Sequence, residues 1–162
     1  MSGKEFNHLL VAKKRRYLMD LEGLAPVAYL CSSSLSVAEL LGKKVEFKPK
    51  SGFLQLFDHG PEILARILPA YFNALLRQED GLMKSNEVGN EMLCLVSGEM
   101  NVGKAIGKSG IKSAEKFILF VSEEKIAKDA RLKLMIDKME RISLKMDLGE
   151  SGDVSITPIS ER

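Results

Sequence analysis

Residues 97–111 read SGEMNVGKAIGKSGI, and the way this stretch folds decides what the rest of the chain can be. Gly98-x-x-x-x-Gly103-Lys104 has the spacing of a loop that cradles phosphate on backbone N–H groups. Gly107-Lys108-Ser109-Gly110 has the spacing of a Gly-x-x-Gly loop that clamps a nucleic-acid backbone. A third reading makes the small residues the ends and packing positions of a short helix.

The first reading, a P-loop nucleotide-binding enzyme, needs a hydroxyl directly after the lysine to hold magnesium, and Ala105 stands there. Gly107-Lys108-Ser109 supplies a hydroxyl but puts Val102 where that frame needs glycine. The next apolar run, 117–121, ends in Ser122 rather than in a metal-binding aspartate. The second reading, a KH-like single-stranded RNA-binding domain, has the right order of strand, short helix and Gly-x-x-Gly. It leaves only residues 111–116 before the next strand, under two turns at about 1.5 Å per residue, too short for a helix that crosses a sheet.

Outward from this stretch, residues 92–96 read as a strand that Gly98 ends. Asn101 caps a short helix through Lys108, and Gly110 closes it in the left-handed region. Ala105 and Gly107 let that helix approach the sheet. Residues 117–121 are a second apolar strand, and Ser122-Glu123-Glu124 starts a long final helix from Ala127 to about Met146. Along it Ala130, Leu134, Met135, Met139, Ile142 and Met146 keep helical period.

Upstream, residues 17–22 and 26–31 read as strands, and the second is followed by a helical turn through Leu35, Val37, Leu40 and Leu41 that Gly42 stops. Residues 45–48 alternate like an edge strand and 53–57 like a buried one. Pro61 suits the first position of a helix carrying Ile63, Leu64, Ile67, Leu68, Tyr71, Phe72 and Leu75, with a kink or a break at Pro69. Tyr71 and Phe72 belong to the core, and residues 78–90 form a loop. The fold class is α+β: a single domain over residues 1–148, a mixed or antiparallel sheet packed with helices, a long C-terminal helix, and a loose tail over 149–162.

The chain has 162 residues, of which 45% are apolar and 28% charged, enough to bury a core of its own. Its 24 basic and 22 acidic side chains leave a net charge of +2, so a nucleic-acid contact has to come from local clusters. The dense cluster is Lys13-Lys14-Arg15-Arg16; looser groups are Lys43, Lys44, Lys48, Lys50 and Lys104, Lys108, Lys112, Lys116. Cys31 and Cys94 lie among apolar residues and read as core thiols in a reducing cytoplasm. His8 and His59 lack the cysteine partners of a zinc site, so no metal and no cofactor is expected. No run approaches the ~20 apolar residues of a membrane span.

Val96-Ser97-Gly98, Asn101-Val102, Ala105-Ile106 and Gly110-Ile111, with Glu91 six positions before Ser97, together resemble the signature of a known family. It is the small Cgi-type subunit of the KEOPS (EKC) tRNA-modification complex, known in eukaryotes as PRPK-binding protein. Leu54-Gln55-Leu56-Phe57-Asp58 resembles the family's V-Q-L-L-D segment, and Lys138-Met139-Glu140-Arg141-Ile142-Ser143-Leu144 its C-terminal L-E-K-I-A-L. The similarity covers roughly residues 53–146, in order.

The resemblance implies a non-enzymatic accessory protein that binds the small atypical kinase/ATPase of KEOPS. It also implies help in recruiting tRNA, by its 3′ end, for threonylcarbamoyladenosine formation. It makes Gln55, Glu91, Ser97, Gly98, Ala105 and Gly110 structural, and places kinase contacts at Met139, Ile142, Leu144 and Met146. Candidate RNA contacts are Lys104 and Lys108, one helical turn apart, with Lys13, Lys14, Arg15 and Arg16. Met100 and Asn101 stand where the family has arginine and glutamine, so tRNA binding by this subunit alone is expected to be weak.

Overall fold

Val27–Ser32 (β1), Leu54–Phe57 (β2), Phe117–Val121 (β3) and Lys138–Ile142 (β4) pair antiparallel in one sheet of order β2-β3-β1-β4. The structure is a computed structural model and describes residues 26–83 and 87–144. The strand expected over 17–22, His8, the basic cluster 13–16, Met146 and the tail 149–162 lie outside the described residues.

Five helices complete the described chain: Val37–Glu46 (α1), Pro61–Asp80 (α2), Val88–Ser97 (α3), Val102–Ser109 (α4) and Glu124–Lys133 (α5). β3, FILFV, is buried at every position because both faces of the sheet are covered. Ile118 and Phe120 face a core built with α2, α3 and α4, including Ile67, Phe72 and Met92. Phe117, Leu119 and Val121 face a second core with Leu40 of α1 and with Ile126 and Ala130 of α5. The protein is therefore a three-layer α+β domain with the sheet in the middle.

Local signals explain several elements. Ser36 and Glu39 form a reciprocal capping box that starts α1. Pro61 occupies the first turn of α2, where its missing N–H is not needed. Tyr71 and Phe72 are buried, and Tyr71 stacks at a tilt on Phe53 and Phe120.

Other expectations are corrected. Residues 92–96 are helical, inside α3, rather than a strand. α3 packs against α2, α4 and β2 together, so its apolar run is buried on all sides and carries no periodic signal. The expected loop 78–90 shrinks accordingly, since α2 runs to Asp80 and α3 starts at Val88. α2 continues through Pro69 as one helix rather than breaking into two, and α1 continues past Gly42 to Glu46, so 45–48 is no edge strand.

The long C-terminal helix is also absent. α5 stops at Lys133, Met135 takes a left-handed φ of 56°, and residues 138–142 are strand β4. The Ile136 N–H donates to the Arg131 carbonyl at 3.0 Å and the Met135 N–H to the Leu132 carbonyl at 3.4 Å, the pattern of a Schellman stop. The Ser33 hydroxyl donates to the Met135 carbonyl, and the Asp137 N–H donates to the Ser32 carbonyl, both at 2.8 Å. These bonds turn the chain back along β1.

Candidate functional site

The stretch 97–111 is a helix end, a tight turn and a second helix. Gly98 caps α3 with φ 76°, its N–H donating to the Cys94 carbonyl at 2.9 Å. The buried Ser97 hydroxyl donates to that same carbonyl at 3.2 Å and accepts the Glu99 N–H at 3.1 Å. Asn101 then accepts the Lys104 N–H and starts α4. Ala105 is fully buried against the α2–α3 layer.

Two expectations within it are corrected. Gly110 is extended, with φ −73°, and is needed for space: a Cβ there would sit 2.6 Å from the Ile106 carbonyl oxygen. Gly107 is exposed with nothing within 4 Å of an added Cβ, so it makes no close approach to the sheet. The helix before the turn removes the strand–loop–helix order a phosphate cradle needs. Gly107 lies inside α4, so 107–110 is no Gly-x-x-Gly loop between helices.

The residues around this hairpin are tied by buried polar contacts. Arg77 of α2 donates to Glu91 of α3 at 3.1 Å, with Glu91 wholly buried and Arg77 12% exposed. Gln55 is buried in β2; its Oε1 accepts the Leu56 N–H at 2.9 Å and its Nε2 donates to Asn90 Oδ1 at 3.2 Å. It therefore satisfies an edge-strand N–H and pins α3 to the sheet. The Asp58 N–H donates to the Ser109 carbonyl, joining the end of β2 to the end of α4. Arg77 and Asn90 carry no sequence signal, because their partners come from other elements.

A cavity of about 640 Å³ opens between the α1–β2 connection, α2 and the start of α3. Phe47, Phe53, Tyr71 and Leu75 form apolar walls, and Lys44, Glu87 and Glu123 add charge. Burial pushes the Tyr71 hydroxyl up to about 12, with Glu123 adding to the shift. Burial lowers the pKa of Lys44; Glu87 opposes this and Lys48 reinforces it. The arrangement can bind, but nothing in the sequence pattern marks it.

The proposed contact residues separate in space. Lys104 and Lys108 are exposed on α4, and Lys108 Nζ lies 3.9 Å from Glu99 Oε1. Met100 is exposed at the turn before that helix. At the C-terminal end, Met139 pairs with Cys31 and packs partly buried on the α1/α5 side. Ile142 pairs with Ala28 and packs, like Leu144, on the α2–α4 side. Helical spacing would put Met139 and Ile142 in one stripe; strand geometry puts them on opposite faces. Among the described residues β4 pairs only with β1, leaving its outer edge open.

A family model described as kinase binding protein CGI-121 matches residues 64–155, more than half of the chain. The match runs from the first turns of α2 through α3, α4, β3, α5 and β4, and starts after the Gln55 segment. No curated protein matches the chain significantly.

Proposed function

This chain belongs to the kinase-binding CGI-121 family, and we propose that it is a non-catalytic accessory subunit of KEOPS. In this reading it binds the small atypical kinase/ATPase of that complex and helps recruit tRNA by its 3′ end for threonylcarbamoyladenosine formation. The observation that carries the reading is the family match, which includes both the α3–α4 hairpin and the sheet edge at β4. The kinase contact is assigned to the C-terminal part of that segment. There, among the described residues, the outer edge of β4 offers a row of backbone donors and acceptors beside half-buried Ile142 and Leu144.

The tRNA contact is assigned in part to Lys104 and Lys108, whose exposed ammonium groups can neutralise phosphates. Met100 contributes no charge, so the subunit alone binds weakly and the assembled complex tightly. Calorimetric titration of the full chain with its cognate kinase tests the first half, with saturable binding expected; no heat and no co-elution would overturn it. Anisotropy of labelled tRNA, with and without the kinase, tests the second.

A further inference from the structure

We propose that the lysine-lined groove between α1 and α5 is a second RNA-binding surface, one that holds the phosphodiester backbone of the tRNA body. The inference rests on tRNA being a partner, as proposed above, but concerns a surface on the opposite side of the sheet from Lys104 and Lys108. The groove measures about 850 Å³ and is lined by Lys43, Lys48, Lys50, Lys125 and Lys133. Among the described residues Glu46 and Asp129 are the acids of the lining and Glu123 borders it beside Lys125 and Ser51, so five lysines face three carboxylates.

Part of this charge has an ordinary explanation. Lys43 and Lys133 lie in the last turns of α1 and α5, where a cation complements the helix dipole. Lys125 sits in the first turn of α5, the end that disfavours cations, and pairs with Glu123 at 3.1 Å. Lys48 and Lys50 lie in the α1–β2 connection, Lys48 directly after the C-cap Phe47 and Lys50 beyond it. Among the described residues Lys48, Lys50 and Lys133 form no ion pair with a carboxylate. Lys48 also lines the adjoining cavity, where its charge disfavours the protonated form of Lys44. Like charges are thus gathered with few acids to offset them, which a polyanion relieves.

The chemistry favours a phosphate backbone over an acidic protein. Lys125, Asp129 and Lys133 are spaced four apart, so the groove follows α5 for about 12 Å, at ~1.5 Å per residue, and spans more than one phosphate. The cations are all lysines, point charges that can each neutralise a phosphate without requiring one fixed geometry along a repeating backbone. Among the described residues Phe47 is the one aromatic ring in the lining, which suits backbone contact rather than a row of stacked bases.

The test is fluorescence anisotropy of labelled tRNA with the full chain, free and bound to its kinase, across a salt series. Lys48→Gln/Lys133→Gln should weaken binding on the order of tenfold at low salt and reduce the slope of log K against log salt by about two contacts' worth. Lys48→Arg/Lys133→Arg should retain affinity, and an unrelated RNA hairpin should compete as well as tRNA. Unchanged affinity and slope in the glutamine variant, with wild type binding, would overturn the groove and leave the tRNA reading standing. No tRNA affinity in wild type, free or in complex, would overturn both. Loss of kinase binding instead of tRNA binding would make the groove a protein interface and overturn the inference.

Discussion

The guanidinium of Arg77 lies 3.1 Å from the carboxylate of Glu91, across the interface of two helices that the family match includes. With Glu91 wholly buried, the pair is costly to desolvate and more costly to break. Arg77→Met should lower stability by up to about 3 kcal/mol, because it takes a charge partner away from a buried carboxylate. Arg77→Met/Glu91→Met should be less destabilised than Arg77→Met. Urea denaturation of the three proteins checks this, and a double variant less stable than the single one refutes it.

The glycines of the opening stretch give opposite expectations a few residues apart. Gly107→Ala in exposed α4 should raise stability by up to about 1 kcal/mol, through helix propensity. Gly110→Ala should lower it, since the new methyl would press on the Ile106 carbonyl. Neither glycine holds phosphate in this geometry, so Gly107→Ala should leave tRNA affinity unchanged. Melts and anisotropy on the same two variants measure both effects; loss of RNA binding in Gly107→Ala would restore the Gly-x-x-Gly reading.

How much of this was legible follows from which signals are local. Pro61 and the Asn101 cap state their role within four residues, and the inner strand β3 is a plain apolar run. Helix α3 was not legible as a helix, because burial on every side erases the period that separates 3.6 from 2. The end of α5 was hidden because Met135, not glycine, takes the left-handed stop, held by Ser33 more than a hundred residues away. Met139 and Ile142 then matched a helical stripe by coincidence. The cavity and the α1–α5 groove draw on segments distant in sequence, so no spacing rule could assemble them.

Cys31 sits in β1 with its thiol pushed up to about 12, chiefly by burial, with its contact to the Leu119 backbone and the Arg131 charge opposing. Ionisation is therefore easier in the unfolded chain, whose thiol titrates near 9.0. Stability carried by the neutral thiol is complete below that pH and falls as pH rises from 9.0 toward 12. Cys31→Ala should flatten this alkaline decline in the urea midpoint between pH 8 and 10 (about one unit each side of the free thiol's range). Cys94 is buried as well, so native protein at neutral pH should resist a thiol reagent that labels both cysteines in denaturant.

The strand at the C-terminal end of the sheet changes how the kinase contact should be tested. A helical stripe would make Met139, Ile142 and Leu144 act together, whereas β4 turns Met139 toward α5 and Ile142 and Leu144 toward the α2–α4 layer. Leu144 lies just past the strand and is only half buried, so a charged side chain there can swing to solvent while burdening any apolar contact with a partner. Leu144→Arg should weaken kinase binding at least tenfold, a loss of about 1.4 kcal/mol, with a thermal melt close to wild type. Met139→Ser, on the other face, should cost some stability and leave affinity within about threefold, under 1 kcal/mol. Titration calorimetry with the kinase compares the two. Equal loss in both would mean that the partner covers the sheet end rather than the α2–α4 side, and full affinity in Leu144→Arg would move the kinase contact away from this edge altogether.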